Sequence, residues 1–242
     1  ILETIPATLG MVMPEDGYLE KARELCDTNG TLLIMDEIQS GLGRTGKLWA
    51  FEHAGITPDM VVIGKGLSGG IYPIAATIIR EPLDTIFKND PFIHISTYGG
   101  SELGCRVAHK VIQISGDTIF LDRVQEAGQK VREGLEVILE KYPKFFTGIR
   151  QSGLMIGLEL RDEYGGPALT KAAYDQDLLL IYANNDTSVS QFLPPLTITD
   201  EEIDLVMDKL DKAMNAARKL RTALIAKEKS NGILKRFSGK KA

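Results

Sequence analysis

The sequence predicts an α/β fold with a mostly parallel sheet, followed by a smaller α+β module. Three observations lead there. Short all-apolar runs at residues 32–35, 60–63 and 74–79 are bounded by turn residues, the pattern of strands buried on both faces. Helical spacing at residues 14–29, and again from residue 99, makes helix and strand alternate up to about residue 110. Beyond residue 141 the texture changes to segments that alternate apolar with polar residues, ending in a long capped helix.

Taken in order, residues 1–5 read as the middle of a strand, so an upstream portion is expected and the large-domain sheet is incomplete at its N-terminal side. Residues 14–29 carry Pro14 and acidic residues early. Tyr18, Leu19, Ala22, Leu25 and Cys26 follow at helical spacing, and Asn29-Gly30 is the stop. The run 32–35 ends on Asp36-Glu37. The run 60–63 is entered through Pro58-Asp59 and left through Gly64-Lys65-Gly66, and the run 74–79 follows Gly69-Gly70. A helical region over 99–141 is broken near Ser115-Gly116-Asp117. Residues 145–151 and 154–160 read as strands separated by Ser152-Gly153, and 178–182 as another. Thr199 with Glu202 three residues on forms a capping box, and Ile203, Val206, Met207, Leu210, Ala213 and Met214 continue the helix. The expected division is 1–115 as the C-terminal portion of a large ligand-binding domain, 116–225 as a small α+β domain, and 226–242 as a basic, solvated and frayed tail.

With 43% hydrophobic and 25% charged residues among 242, the chain can build a sizeable core. Its net charge of -5 argues against nucleic acid as the main partner. No apolar run approaches the ~18 residues of a transmembrane helix, so no membrane partner is expected. Cys26 and Cys105 sit in unrelated contexts, both in expected helices, and are read as buried or semi-buried free thiols, which fits a cytoplasmic location. His53, His94 and His109 are scattered without metal-ligand spacing.

Asp36 and Lys65 stand at the ends of two buried runs, and ligands bind beyond the carboxyl ends of strands in open α/β sheets. A salt bridge at the sheet edge would use the same two residues. Gly64 and Gly66 on either side of the lysine leave room for a bulky group close to the backbone. Residues 41–47 fit the G-x-x-x-x-G-K spacing of a phosphate-binding loop. Leu48, however, stands where a magnesium-holding hydroxyl belongs, and the acidic run precedes the loop instead of following it. Both features oppose a phosphate-binding-loop NTPase.

The stretches Asp36-Glu37-Ile38-Gln39 through Gly46, Pro58-Asp59, Gly64-Lys65-Gly66 through Gly70 with Tyr72-Pro73, and His94 through Gly100 together closely resemble the class III aminotransferases, near the ornithine and acetylornithine enzymes. The resemblance covers about residues 1–220. It implies a fold-type I enzyme using pyridoxal 5'-phosphate (PLP), built from a large α/β domain and a smaller C-terminal α+β domain, and working as a homodimer on small-molecule amine and keto-acid substrates. Carried over residue by residue, it makes Lys65 the Schiff-base lysine and proton carrier. Asp36 becomes the partner of the pyridine nitrogen and Gln39 that of the ring's phenolic oxygen. Glu37 and Ile38 supply backbone along the ring, and Thr97 binds the phosphate of the cofactor in the partner subunit. Ser96 and Gln191 become substrate contacts. Racemisation or decarboxylation on the same fold would use the same lysine and aspartate, and an inactive fragment is a third reading.

The chain also departs from the family pattern. Thr8 stands where the related enzymes carry a glutamate, and Gln191 stands where they carry the arginine that holds a substrate α-carboxylate. Losing one member of a buried pair would leave its partner uncompensated at ~3–5 kcal/mol, so the joint absence is physically coherent. It leads to the expectation of an amine without an α-carboxylate, or of an acceptor such as pyruvate. Ser101-Glu102 replaces the usual Asn-Pro, without a functional explanation. The phosphate cup and ring-stacking aromatic of the family are expected from the upstream portion.

Overall fold

A computed structural model of the chain describes residues 1–238, with side chains described through Lys227 apart from Pro82. Its order is β1 (Leu2–Glu3), α1 (Tyr18–Thr28), β2 (Ile34–Asp36), β3 (Met60–Ile63), β4 (Ala76–Ile79), α2 (Thr85–Asn89), α3 (Glu102–Ser115), α4 (Thr118–Lys141), β5 (Phe146–Ser152), β6 (Met155–Leu160), α5 (Gly165–Tyr174), β7 (Ile181–Tyr182), β8 (Val189–Phe192) and α6 (Asp200–Ser238). Contacts divide it into two compact units. One holds Ile1–Pro6, Met13–Glu126 and Ser152–Met155; the other holds Ala7–Val12, Ala127–Gln151 and Ile156–Ala242. Where the sequence suggests one boundary at 115/116, the chain crosses between units several times.

In the first unit the sheet order is β1-β2-β3-β4. β1, β2 and β3 are parallel, with Glu3 opposite Asp36 and Asp36 opposite Val62. β4 is antiparallel to β3, with Val62 opposite Thr77, so the sheet is parallel except at this edge. Leu33, Met35, Val61, Ile63 and Leu67 form the core, with Leu19 from α1 and Ala108 from α3. α1 starts later than the periodicity suggests because Gly17, with φ of 80°, takes the left-handed conformation immediately before Tyr18.

Asp59, almost fully buried at the entrance to β3, ties this layer together. It accepts hydrogen bonds from the Leu33 amide at 2.7 Å and Arg23 Nη1 at 2.9 Å, and pairs with Arg80 Nη2 at 2.8 Å. Burial alone would raise its carboxyl; the Leu33 amide and the two guanidinium groups outweigh that and hold it below the ordinary value of 3.8.

In the second unit the sheet order is β5-β6-β8-β7, with β8 antiparallel to both neighbours. Gly148 on β5 leaves the space that the Glu159 carboxylate takes, since a Cβ there would lie 2.0 Å from Glu159 Oε2 and displace that side chain. Residues 7–12 lie against this sheet. The Gly10 carbonyl accepts from Arg150 Nη1 at 2.6 Å, the Thr8 carbonyl accepts from the Asn185 amide at 2.9 Å, and Met11 fills the space above Gly157. α4 and α6 close on each other where Gly134 leaves room for Met207. The capping box at the start of α6 forms as its spacing predicts: the Thr199 amide donates to Glu202 Oε2 at 2.9 Å and the Glu202 amide to Thr199 Oγ1 at 3.2 Å. The α6 backbone continues to Ser238, past the start of the stretch read as a frayed tail, and residues 239–242 of that stretch lie outside the described residues. Three of these elements had no counterpart in the sequence reading, α2, α5 and β8.

Replacing Asp59 with alanine leaves the half-hidden Arg23 and the Leu33 amide without their acceptor, a loss of ~3–5 kcal/mol in urea unfolding. Since the folded carboxyl titrates below the unfolded one, its contribution is complete well above pH 3.8 and disappears as pH falls below that value. Unfolding free energies of wild type and variant, measured against pH, should therefore converge at the acid end.

Candidate active site

Parallel pairing puts the carboxyl ends of β2 and β3 at one edge of the first sheet. β2 ends on Asp36 and β3 on Ile63, followed by Gly64 and by Lys65 at the head of a 3-10 turn over Lys65–Ser68. The apolar residues before each end are drawn into the core, so the polar residues after them emerge together.

Lys65 Nζ donates a hydrogen bond to Gln39 Oε1 at 2.9 Å. This corrects the salt-bridge alternative: the lysine is held by a neutral amide, not by Asp36. Asp36 is half-buried, and its Oδ1 accepts the Ile38 amide at 2.9 Å, which closes the turn that carries Gln39 back toward the lysine. Ile38 lies against Gly64, where an added Cβ would sit 3.7 Å from its side chain. Lys65 has a φ of 41°, in the left-handed region that residues with a Cβ rarely occupy. Leu67, 1% exposed, anchors the turn behind it.

Glu37 turns the other way. Its side chain is 1% exposed and accepts from the Thr4 hydroxyl, from Ser40 Oγ at 3.0 Å, and from the Ala50 and Phe51 amides at 2.9 and 3.1 Å. Burial pushes its carboxyl up, though the four donors pull against it. Only the Glu37 backbone remains for a ligand. The sequence places Glu37 beside the site but gives no sign of this buried role, nor of Thr4 and Ser40 as its partners. The one available signal was position: an acid directly after a strand, followed three residues later by serine.

The glycine loop after β2 is packed inward. The Gly41, Arg44 and Gly46 amides donate to the Glu37, Gly41 and Gly43 carbonyls at 3.0, 3.4 and 3.0 Å. Gly153 presses on it, with room for no Cβ within 2.6 Å of Thr45. Burial pushes the Arg44 guanidinium down to about 10. Amides spent in this way form no phosphate cradle, so the loop is a structural clamp.

Ser96 and Thr97 lie in an exposed segment of the first unit. Ser96 Oγ accepts the Gly99 amide at 2.9 Å, and the Thr97 hydroxyl has no partner among the described residues. Gln191 belongs to the second unit, half-buried on β8 opposite Gly157 and Ile181. Within the first unit the structure thus joins Lys65, Gln39 and Asp36 at one sheet edge, with Ser96 and Thr97 on an exposed segment of the same unit. A primary amine in a neutral hydrogen bond, beside a carboxylate, is equipped to attack a carbonyl and to shuttle a proton.

The family model for class-III aminotransferases matches residues 1–214. An uncharacterized aminotransferase of Archaeoglobus fulgidus is 49% identical over 221 residues, which is 91% of this chain and 52% of that protein. Among solved structures, the ornithine aminotransferase of Toxoplasma gondii is similar at a TM-score of 0.82 and 33% identity, over 91% of this chain and 51% of that one. The N-acetylornithine aminotransferase of Stenotrophomonas maltophilia gives 0.78 and 33%, over 89% and 55%. The chain spans about half the length of the relatives it matches.

The left-handed conformation at Lys65 yields a direct comparison. Lys65→Gly and Lys65→Ala both remove the amine, but only alanine keeps a Cβ at positive φ. The glycine variant should be the more stable of the two by ~1 kcal/mol in chemical denaturation. Equal stabilities would mean that the lysine backbone is unstrained.

Proposed function

Because the chain belongs to the class III aminotransferase family, we propose that it transfers an amino group from an amine or amino acid to a keto acid or aldehyde, with pyridoxal 5'-phosphate attached at Lys65. The observation that carries this reading is the 2.9 Å hydrogen bond from Lys65 Nζ to Gln39 Oε1 beside Asp36. The donor set suits the cofactor. Lys65 offers an amine for the aldehyde, Asp36 a carboxylate for the ring nitrogen, and Gln39 an amide for the phenolic oxygen.

When bound, pyridoxal phosphate supplies a sink for the electrons left as the donor carbon loses its proton. Asp36 keeps the ring nitrogen protonated by its negative charge. Lys65 would serve as the base that holds and moves the proton of the donor carbon. Gln39 can orient the lysine amine through the same side-chain oxygen it now uses. The Glu37 and Ile38 backbone flanks the ring, and Ser96 and Gln191 meet the substrate.

Thr97 is assigned to the phosphate of a cofactor in a partner subunit, so the proposal includes a homodimer. Large apolar side chains on the same segment support it: Phe92, Ile95 and Tyr98 are 78%, 71% and 81% exposed, more than an isolated surface commonly leaves together. Free thiols at Cys26 and Cys105 are in keeping with a cytoplasmic location. Among the described residues no helix is long and apolar enough to cross a membrane.

The protein purified with added pyridoxal phosphate should be yellow and lose the colour on borohydride reduction, with the label fixed to the chain; Lys65→Ala should retain no label. A wild-type protein that stays colourless and unlabelled would overturn the assignment. Because Thr8 and Gln191 are both uncharged, initial rates with a panel of amines should favour donors without an α-carboxylate, or pyruvate as acceptor. Efficient turnover with 2-oxoglutarate at low concentration would overturn that substrate class alone.

A further inference from the structure

The second compact unit holds a cleft of about 580 Å³ whose lining includes Lys144, Arg161, Arg218, Lys219 and Arg221, with no acidic side chain among the described lining residues. This concentration of positive charge is notable on a chain whose net charge is -5. Elsewhere on the unit, surface cations are matched: Lys141 pairs with Asp211, Arg132 with Glu136, and Lys212 with Asp208, each at 2.6 Å. In the cleft Arg221 is paired with a carboxylate, through Nε at 2.9 and 3.0 Å from the two oxygens of Asp162; Glu163 also acts on Arg221 by charge, and Arg161 acts on Asp162 by charge. Arg218 has neutral partners, with Nε donating to Asn215 Oδ1 at 3.1 Å and its guanidinium 5.9 Å from the Tyr142 ring centre. The side chains of Lys144 and Lys219 have no hydrogen-bond or ion-pair partner among the described residues.

Like charges around one cleft repel each other, and an anion between them turns that repulsion into attraction. We propose that this cleft binds a compact polyanion, a ligand bearing a phosphate, a diphosphate or several carboxylates. The guanidinium groups of Arg161 and Arg218 offer planar forks to oxygen pairs, while Lys144 and Lys219 add point charges. Phe145 and Tyr142 are 5% and 9% exposed, so no ring face is offered for a nucleobase to stack upon. Charge on a small group is therefore the recognised feature. The cleft shares no residue with the set around Lys65, and the inference stands apart from the transamination reading.

Calorimetric titration of the cofactor-loaded protein with inorganic pyrophosphate, and separately with citrate, tests it at an ionic strength held constant with sodium chloride. Loading keeps the cofactor's own phosphate site filled. If the protein takes up no cofactor, the same titrations are made without it, so the two ideas fail separately. Saturable binding of either anion is expected, weakened about tenfold or more in Arg161→Gln/Lys219→Gln and unchanged in Lys171→Gln, which breaks an ion pair with Asp175 outside the cleft. Pyrophosphate alone binding identifies a phosphate ligand, and citrate binding equally well identifies a polycarboxylate one. Circular dichroism checks folding, and the exposed Lys144→Gln replaces the double variant if that one unfolds. No saturable binding of either anion, or binding undiminished by the cleft substitutions, overturns the proposal.

Discussion

The buried carboxylate of Glu37 is the constraint on which the first unit depends. Four donors converge on it: the hydroxyls of Thr4 and Ser40 and the amides of Ala50 and Phe51. They come from the end of β1, from the turn after β2 and from the 3-10 helix over Ala50–Ala54. A single acid thus fixes three chain segments whose polar groups would otherwise be buried unpaired, at a cost of roughly 1–3 kcal/mol each. Because Glu37 is committed inward, its neighbours Asp36 and Gln39 are set at defined positions along the sheet edge. Lys65 meets Gln39 there since β2 and β3 run parallel in fixed register.

The parts of this arrangement that local physics writes into the chain were legible. Met60–Ile63 is an apolar run with turn residues on both sides, and it is a strand. The Thr199–Glu202 capping box names the start of α6 to the residue. Parts that depend on distant packing were not legible. α5 begins Gly165-Gly166-Pro167, which reads as a turn; yet Gly166 is required because the Thr187 carbonyl lies 2.3 Å from where its Cβ would be. β8 hides Ser190 completely, which masks its alternation. Glu37 enters the sequence reading only through its backbone, because sequence gives no account of donors arriving from 33 residues upstream. The lysine was found through its neighbours in sequence, but its hydrogen bond to an amide instead of the acid beside it is a property of the turn.

The unusual backbone at Lys65 belongs to the same logic. A φ of 41° is unfavourable for lysine, and only a rigid surround maintains such a conformation. That surround is present: β3 on one side, and on the other Leu67 in the core with Gly69, at φ of 56°, packed against Val111 of α3. A lysine pinned at its backbone and hydrogen-bonded at its tip has lost much of its rotamer freedom before any ligand arrives. Pre-organisation of this kind lowers the entropy cost of presenting a nucleophile. The strain and the placement of the amine are therefore one feature, both set by the short turn that follows β3.

The two departures from the family pattern gain meaning from their location. Thr8 and Gln191 are far apart in sequence but belong to one compact unit. The segment carrying Thr8 lies on the sheet that carries Gln191: Met11 packs on Gly157, and Gly157 is the β6 residue opposite Gln191 on β8. Thr8 itself is exposed and Gln191 half-buried, so water reaches both positions. Uncharged residues at both keep the hydrogen-bonding capacity of an amide and a hydroxyl. The same unit retains Arg150, but Glu159 and the Gly10 carbonyl already occupy it. This arginine is thus no ready substitute for a carboxylate reader at position 191, which is the ground on which the proposed reaction favours amines without an α-carboxylate.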